Sequence, residues 1–393
     1  MENYYRERSI EILRTLHISP SYKPAFHYGG PTLSVSHLCE TLVKQNHTVE
    51  VLTTTANGRA ELKIPATTPQ FIDGVKVCYF RRWTGDHSHF SPTLLFRVWQ
   101  TCRQYDIVHI HSWWNTVAVL SVLICRMQKV RPVVSPRGML SPYTMRSPMK
   151  RVFHRFIGRF LLRETVLHAT SVQEEREIAG LVPGSAICCL PNLVPLPAAA
   201  GGQPMTDTQN KPFHILFLGR IDPKKGLENL FHALTLLPFP FRLTIAGAGE
   251  PGYETRLRWL SEDLGISRTV EWTGWAEGTS KYQLLGEADV FVLPSRNENF
   301  ANAALEALSM GTPVVLSETV GLAAYVLQTG FGRVCPADPG SLAETIGALA
   351  AENGSFDRQT IAGRVRRDFD PDQLAKNYVE VYRKMVAHRT ANP

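Results

Sequence analysis

Residues 213–237 read FHILFLGRIDPKKGLENLFHALTLL, and this stretch decides the fold. Residues 213–218 form a continuous apolar run that is typical of a buried strand, and residues 226–237 have the apolar spacing of a helix. The same alternation recurs in both halves of the chain, for example in the helical pattern at 32–45 before the strand pattern at 48–53. It predicts an α/β fold in which parallel sheets are covered by helices.

A proline- and glycine-rich stretch at residues 191–212 interrupts this alternation and is typical of a linker between domains. A chain of 393 residues is long enough for two domains. We therefore predict an N-terminal Rossmann-like domain at 1–195, a linker at 196–211, a C-terminal Rossmann-like domain at 212–370, and a C-terminal helix and tail at 371–393. Ligands of open α/β sheets bind beyond the carboxyl ends of the strands, so both domains are expected to face a central cleft.

The composition points to a folded cytoplasmic protein. Hydrophobic residues make up 44% of the chain and charged residues 20%, which excludes a disordered chain. The seven cysteines form no Cys-x-x-Cys pair, which favours reduced thiols. The N-terminal residues do not resemble a secretory signal, and the longest apolar run, 117–125, is too short to span a membrane.

The turn after the first strand of the second half carries the first chemical signal. Its sequence is Gly219-Arg-Ile-Asp-Pro-Lys-Lys-Gly226, directly before a helix. Glycine permits close backbone approach, a helix start offers free N–H groups, and Arg220 and Lys225 add two cations. The turn therefore predicts a diphosphate site, with a solvated basic turn as the alternative.

Two glutamates follow at a later junction between a strand and a helix. Glu298 belongs to the loop and Glu306 to the helix, eight positions on. Both can face the cleft, where one binds a sugar ring and the other a ribose. Taken separately, each is better explained as a surface charge.

Together these motifs closely resemble the family 4 retaining glycosyltransferases of GT-B fold. The resemblance rests on Gly219-Arg220…Lys225-Gly226, Glu298-x7-Glu306 and Gly311-x-Pro-Val-Val, and it extends to Tyr28-Gly-Gly-Pro31 and His109-Ile-His111. Ser135-Pro-Arg-Gly-Met-Leu140 and His168-Ala-Thr-Ser171 resemble a subset that builds bacterial surface polysaccharides. The GT-B resemblance also implies that the C-terminal helix returns toward the N-terminal domain.

The resemblance implies a role for each matching position. Arg220 and Lys225 hold the donor diphosphate, Glu298 contacts the transferred sugar, Glu306 binds the ribose, and His111 lies beside the sugar near the reacting centre. Further donor contacts are implied for Gly29, Gly30, Gly219, Gly247, Gly249, Trp275, Asn299 and Phe300. The expected reaction transfers a sugar from a nucleotide-diphosphate donor, preferably UDP-linked, with retention at the anomeric carbon and without a cofactor or metal.

One departure from the family and three alternative functions remain open at this stage. Many relatives have Glu-x-Phe-Gly where this chain has Glu298-Asn-Phe-Ala301. The additional methyl group and the restricted φ at Ala301 are expected to alter the pocket for the donor sugar. The segment Gly247-Ala-Gly249-Glu-Pro-Gly252, with Glu271 further on, matches a dinucleotide fingerprint and allows an NAD-dependent oxidoreductase, although it follows the second strand of its half. A GT-B sugar-nucleotide epimerase and a non-catalytic basic protein that docks on lipid or nucleic acid are the other two.

Two patterns resemble metal sites. Asp368-Phe-Asp370 mimics a metal-binding Asp-x-Asp, but it precedes the last helix, where Asp370 is better explained as a cap before Pro371. His109 and His111 share a strand face, but no third ligand of suitable spacing follows them. We expect no metal.

The positive charge is concentrated in residues 107–163, which contain no acid and ten cations. Within this segment, residues 149–162 predict one amphipathic helix with Phe153, Phe156, Ile157, Phe160 and Leu161 on one face and Arg151, Arg155, Arg159 and Arg163 on the other. Such a helix is typical of interfacial anchors, and a core-packed helix with solvated arginines is the alternative. We expect Arg137 and the helix arginines to meet a lipid-linked acceptor or an anionic membrane on its inner face; no nucleic-acid motif accompanies them.

Overall fold

The computed structural model describes residues 12–197, 211–352 and 354–391. Most of the predicted linker, residues 198–210, lies outside these ranges. The chain divides into two compact units. The residues up to Val194 form one unit together with those from Pro371 onward, and Pro195–Asp370 form the other.

The first unit is built on an eight-stranded sheet over the residues described. The order of its strands is β10-β9-β8-β7-β1-β2-β6-β5, and all neighbours are parallel except β5 and β6. The strands are β1 (Arg14–Ser19), β2 (Thr48–Thr54), β5 (Pro69–Ile72), β6 (Val75–Phe80), β7 (Ile107–His111), β8 (Val133–Ser135), β9 (Val166–Ala169) and β10 (Ala186–Cys189), with a small hairpin of β3 (Ala56–Asn57) and β4 (Ala60–Glu61).

Helices cover this sheet, and the last helix of the chain belongs to the same unit. They are α1 (Gly30–Lys44), α2 (Pro92–Thr101), α3 (Thr116–Met127), α4 (Pro148–Phe153), α5 (Arg159–Leu162), α6 (Val172–Leu181) and, from the end of the chain, α14 (Pro371–Ala391). The return of the C-terminal helix to the N-terminal unit, which the resemblance implied, is confirmed.

The second unit contains a six-stranded parallel sheet. Its strands are β11 (Phe213–Leu218), β12 (Phe241–Ala246), β13 (Val270–Gly274), β14 (Val290–Leu293), β15 (Val314–Ser317) and β16 (Gly332–Cys335). Its helices are α7 (Leu227–Leu234), α8 (Pro251–Asp263), α9 (Gly278–Glu287), α10 (Asn302–Ser309), α11 (Ala323–Thr329), α12 (Pro339–Ala351) and α13 (Arg358–Asp368). The order β13-β12-β11-β14-β15-β16 is that of a Rossmann sheet, so the predicted α/β fold with two Rossmann-like domains is confirmed.

A chain of buried hydrogen bonds ties α14 to the centre of the first sheet. His168 Nε2 donates to the Leu190 carbonyl at 2.9 Å, so its Nδ1 accepts from the Ser135 hydroxyl at 2.6 Å. Ser135 then accepts from His109 Nε2 at 2.6 Å, and His109 Nδ1 accepts from the Tyr382 hydroxyl at 2.7 Å. Since each group donates once along the chain, both imidazoles are neutral and their tautomers are fixed.

This buried histidine cluster predicts a loss of stability in mild acid. Burial, reinforced by the Arg137 guanidinium, lowers the pKa of His17 and that of His168 to about 3. Below about pH 6.5 these histidines bind protons in the unfolded chain but not in the native protein. The free energy of unfolding therefore decreases as the pH is lowered, by about 1.4 kcal/mol per pH unit for each imidazole. We expect the urea midpoint to fall between about pH 7 and 5, less steeply in His17→Gln and unchanged in slope in the exposed control His87→Gln. A midpoint that is flat over this range would show that these imidazoles titrate normally.

The basic segment is helical without a break over residues 148–162, close to the predicted 149–162, but its side chains are not arranged as the prediction had them. Between α4 and α5 lies a π-helical turn, His154–Gly158, in which the Arg159 N–H donates to the His154 carbonyl. The buried side of the helix consists of His154, Gly158, Leu161 and Leu162, whereas Phe156 is 71% exposed. Met149, Val152, Ile157 and Phe160 are exposed as well. The predicted apolar face is thus divided, because Phe153 and Leu161 pack on the core whereas Phe156, Ile157 and Phe160 are exposed.

None of the helices in the described ranges combines the length and the apolarity that crossing a bilayer requires.

Candidate functional site

The two chemical motifs of the second unit lie where its strand order reverses. β11 and β14 are parallel neighbours, and chain connections lead away from them in opposite directions, which leaves a crevice at their carboxyl ends. The turn at 219–226 follows β11, and the loop at 294–301 follows β14. Hydrogen bonds join them: the Arg296 N–H and the Ser295 hydroxyl both donate to the Lys224 carbonyl, at 2.7 and 3.1 Å.

Gly226 is required by this contact between the two loops. It has a φ of +73°, and a Cβ there would overlap the carbonyl oxygen of Pro294. The same residue precedes α7, so the turn places its cations at a helix start.

An ion pair between Lys225 and Glu298 forms the centre of the candidate site. The Lys225 ammonium donates to the Glu298 carboxylate, and both side chains are largely buried. Burial alone would raise the pKa of Glu298, but Lys225 and Lys224 outweigh it and hold that pKa below its usual value. Arg220 is more exposed, and its Nε lies 3.9 Å from the Asp222 carboxylate. The structure thus brings together Arg220, Lys225 and Glu298, which the sequence predicted as site residues.

Lys224 is a third cation of this site that the sequence interpretation missed. Burial lowers the pKa of Lys224, and Glu298 opposes that shift. The Lys-Lys pair in the turn was the available signal. Three cations against Asp222 and Glu298 leave the crevice with one net positive charge, which suits an incoming diphosphate.

Glu306 has a partner of its own. Its carboxylate accepts from the Lys281 ammonium at 2.8 Å, and both side chains are largely buried. Burial would lower the pKa of Lys281, but Glu306 reverses this and raises it. Lys281 lies on α9 and was missed, because nothing in the sequence pairs α9 with α10.

A buried aromatic contact supports the loop between the two glutamates. Phe300 is buried, and its ring packs edge-on against Phe369 with centroids 6.2 Å apart, so it supports the loop. Asn299 is partly exposed beside Glu298. Ala301 has a φ of +74° and directly precedes α10, so the glycine of the related motif is replaced by a residue in a left-handed conformation.

This conformation at Ala301 predicts that a glycine will stabilise the fold. An alanine in the left-handed region costs about 1–2 kcal/mol, of which the glycine's extra chain entropy cancels a part. We expect Ala301→Gly to raise the free energy of unfolding by about 0.5–1 kcal/mol, measured by urea unfolding against Ala303→Gly, a helical control that should lose about 1 kcal/mol. A destabilised Ala301→Gly variant would mean that the methyl group contributes more through packing than it costs in strain.

Backbone packing requires two of the three glycines in the Gly247–Gly252 turn, Gly247 and Gly249. A Cβ at Gly247 would overlap the Gly219 carbonyl, and one at Gly249 would overlap the Ile221 carbonyl, because this turn runs beside the diphosphate turn. The Gly249 N–H, which a dinucleotide phosphate would need, donates to the Glu254 carboxylate. This arrangement disfavours the NAD alternative.

Trp275 lies just beyond the end of β13 with 51% of its surface exposed. An exposed indole at the carboxyl edge of the sheet offers a stacking surface for a base.

In the first unit, His111 lies at the end of β7 and is only 1% exposed. Arg137 Nη2 approaches its Nδ1 at 3.5 Å, and its Nε2 lies 3.1 Å from His17 Nδ1. A guanidinium only donates, so His111 carries its proton on Nε2 and donates to His17. Burial, His109 and Arg137 keep its pKa well below the usual value. Gly29 and Gly30 open α1 at the neighbouring strand end.

A third histidine joins the pair that the sequence singled out. His17 is the register partner of His109 across β1 and β7, and the ligand atoms of His17, His109 and His111 lie within 4.8 Å of one another. Sequence spacing could not reveal it, because His17 lies upstream on another strand. Both nitrogens of His109 are already hydrogen-bonded, to Tyr382 and Ser135, so a metal would have to break the chain that holds α14.

The Asp368 carboxylate is likewise engaged. It accepts from Arg364 Nε at 2.8 Å and from the Tyr325 hydroxyl at 2.9 Å. Asp370 directly precedes Pro371, the first residue of α14.

Comparison with known proteins agrees with this architecture. The family model described as "Glycosyl transferase 4-like domain" matches residues 29–192, and that described as "Glycosyl transferases group 1" matches residues 204–366. Glycogen synthase of Mycobacterium tuberculosis is 28% identical over 404 residues, covering 94% of this chain and 94% of that protein.

Solved structures of other proteins share the fold, and two of them serve as examples. Sucrose-phosphate synthase from Thermosynechococcus elongatus has a TM-score of 0.75 at 19% identity and covers 95% of this chain and 100% of its own. Alr3699/HepE of Anabaena, solved in complex with UDP and glucose, has a TM-score of 0.72 at 18% identity, with the same coverage of 95% and 100%. With two glycosyltransferase models spanning most of its length and GT-B enzymes among its structural neighbours, the chain belongs to the family 4-like glycosyltransferases of GT-B fold.

Proposed function

We propose that this glycosyltransferase moves a hexosyl group from a UDP-sugar to a saccharide acceptor, with retention at the anomeric carbon and without a metal ion, in the synthesis of a bacterial surface polysaccharide such as O-antigen, capsule or exopolysaccharide. The observation that carries the proposal is the Lys225–Glu298 ion pair beside Arg220 and Lys224 at the strand switch of the second unit. The UDP and glucose bound to the Anabaena neighbour support the choice of nucleotide. The surface-polysaccharide assignment rests on the motifs at 135–140 and 168–171.

The chemistry follows from where charge develops. As the glycosidic bond to phosphate breaks, the sugar becomes oxocarbenium-like and negative charge builds on the departing diphosphate. Arg220, Lys224 and Lys225 stabilise that charge without reorganising. Lys225 keeps the pKa of Glu298 low, which makes this carboxylate a weak base. We therefore propose that the acceptor hydroxyl gives its proton to the leaving phosphate oxygen, which lies on the same face of the sugar. Glu298 instead accepts hydrogen bonds from the hydroxyls of the transferred sugar.

Thermal unfolding with UDP, GDP, ADP and NAD tests the nucleotide assignment. A ligand that binds only the native protein raises its Tm by mass action, so UDP should give the largest rise, and Arg220→Ala with Lys225→Ala should abolish it. A rise with NAD alone would favour the oxidoreductase. Consumption of UDP-sugar without any acceptor, with a second sugar nucleotide as the product, would favour the epimerase.

Metal removal should leave the enzyme active. We assign to the cations of Arg220, Lys224 and Lys225 the role that a divalent ion would have beside a diphosphate. Turnover in excess EDTA should therefore stay within about twofold of the untreated rate. The measurement is initial-rate transfer with and without EDTA, then with added Mg²⁺. Abolition by EDTA that Mg²⁺ rescues would contradict the proposal.

We further propose that the enzyme is cytoplasmic and docks peripherally on the inner face of an anionic membrane, where a lipid-linked acceptor is presented. The docking surface is the exposed set Met149, Val152, Phe156, Ile157 and Phe160. Exposed Arg151 and Arg155 alternate with these apolar side chains, and the Arg126 guanidinium lies 4.0 Å from the Phe160 ring centroid. Apolar groups interleaved with arginines suit an anionic bilayer interface rather than a protein core.

Vesicle sedimentation tests the docking surface. At low salt the protein should pellet with vesicles that contain phosphatidylglycerol and remain in solution with pure phosphatidylcholine. Phe156→Ser with Phe160→Ser should weaken binding at least tenfold. Phe71→Ser, at an exposed phenylalanine on β5 of the same unit, is the matched control and should change nothing. Equal binding to both kinds of vesicle would remove the proposal.

A further inference from the structure

Arg137 has a left-handed backbone conformation, and its guanidinium makes its hydrogen bonds to neutral groups. It follows β8 with a φ of +53°, and Gly138 follows with +75°. Its Nη1 donates to Ser34 Oγ and to Asn192 Oδ1, both at 2.9 Å, and its Nη2 approaches His111. A left-handed conformation in a residue other than glycine is strained and marks positions where the surrounding structure demands it.

The charge of Arg137 is not balanced by an ion pair. Within the described ranges no carboxylate lies within ion-pairing distance of its guanidinium. Glu174, whose charge reaches it, accepts instead from the N–H groups of Gly138 and Thr170 at 2.6 and 2.7 Å. The Arg137 Nε is buried and has no partner. An uncompensated buried charge is destabilising, so an anion that binds beside this guanidinium relieves that cost.

The surroundings of Arg137 favour a negative charge. Ser34 belongs to the first turns of α1, whose positive end favours negative charge. Gly29, directly before α1, has a φ of +64°, and a Cβ built there meets nothing within 4 Å. Arg137 as a whole residue is partly exposed. These groups converge where the first sheet reverses its strand order between β1 and β7, the usual ligand position of such sheets.

We propose that Arg137 and the first turns of α1 bind a phosphate oxyanion of the acceptor. This inference rests on the proposed sugar transfer and adds that the acceptor carries a phosphate group. The donor diphosphate already has Arg220, Lys224 and Lys225 in the second unit, so a separate cation in the first unit suits a second anion. A phosphate-bearing acceptor also agrees with the proposed lipid-linked saccharide.

Thermal unfolding with inorganic phosphate, in saturating UDP and at constant ionic strength set by NaCl, tests the site. The wild type should gain about 3 °C at phosphate concentrations well above the dissociation constant. Arg137→Gln should lose that gain. Arg137→Lys keeps the charge but not the paired N–H donors of the guanidinium, so it should retain part of the gain. The lysine variant provides the test if the glutamine variant does not fold. Arg220→Ala with Lys225→Ala, the variant that should not bind UDP, should keep the gain.

Three results would overturn this assignment. A wild type without a phosphate-dependent rise lacks the site. A rise that persists in Arg137→Gln means that Arg137 is structural, whatever the variant does to the starting Tm. A rise that occurs only without UDP belongs to the donor diphosphate position. The UDP-dependent rise and its loss in Arg220→Ala with Lys225→Ala are measured in the same experiment, so failure of the proposed transfer is separable from failure of the phosphate site.

Discussion

Replacing Lys225 by alanine should lower the turnover number of sugar transfer by about 100-fold or more. Lys225 is the cation that the turn after β11 holds largely buried against Glu298, where a departing diphosphate gains charge. A preorganised donor at such a position stabilises the transition state by about 3 kcal/mol, which corresponds to this fold-change. The measurement is steady-state transfer from the UDP-sugar with both substrates varied.

Two observations separate this effect from a general loss of structure. Arg268→Ala removes a cation from the turn before β13, an edge strand of the same sheet. This turn lies at the amino end of its strand, whereas the site lies at the carboxyl ends, so turnover should be unchanged. The Lys225→Ala variant should also unfold at a similar temperature in the absence of UDP. If its defect were confined to the KM of the acceptor, Lys225 would not act on the leaving group.

Glu298→Gln should separate nucleotide binding from sugar transfer. The amide keeps the size of the side chain but no longer neutralises Lys225, so UDP should bind about fivefold more tightly, the equivalent of roughly 1 kcal/mol. Transfer should fall by about 10- to 100-fold, because hydrogen bonds from the sugar hydroxyls to a charged acceptor are lost. Calorimetric titration of UDP and transfer kinetics on the same preparation give both values.

The matched control is Glu262→Gln, which changes an exposed acid near the end of α8. It should affect neither quantity. Weaker UDP binding in Glu298→Gln would mean that this carboxylate supports the turn rather than competing with the phosphates for Lys225.

The local elements of this fold are readable from the sequence because their signals are local. The apolar run at 213–218, the glycines of the following turn and the periodic helix predict β11 and its site without knowledge of the rest. The antiparallel edge strand β5, with exposed and half-buried residues, has no such run and was missed. The π-turn at His154–Gly158 was missed as well, since it depends on tertiary packing of His154, whose Nε2 lies 3.2 Å from the Leu181 carbonyl oxygen.

The site divides in the same way. Arg220, Lys225 and Glu298 were found because their motifs are specific, and the pairing of β11 with β14 then brings them together. Lys281 reaches Glu306 from α9, and His17 reaches His109 only through strand register. Partners of this kind are fixed by tertiary packing, which single-sequence patterns do not encode.

A crystal structure of the protein with UDP is the most direct measurement of the central claim. We predict diphosphate oxygens within hydrogen-bonding distance of Arg220 and Lys225, with the ribose at Glu306 and the base near Trp275. A diphosphate bound away from the turn after β11, with the Lys225–Glu298 pair untouched, would contradict the account.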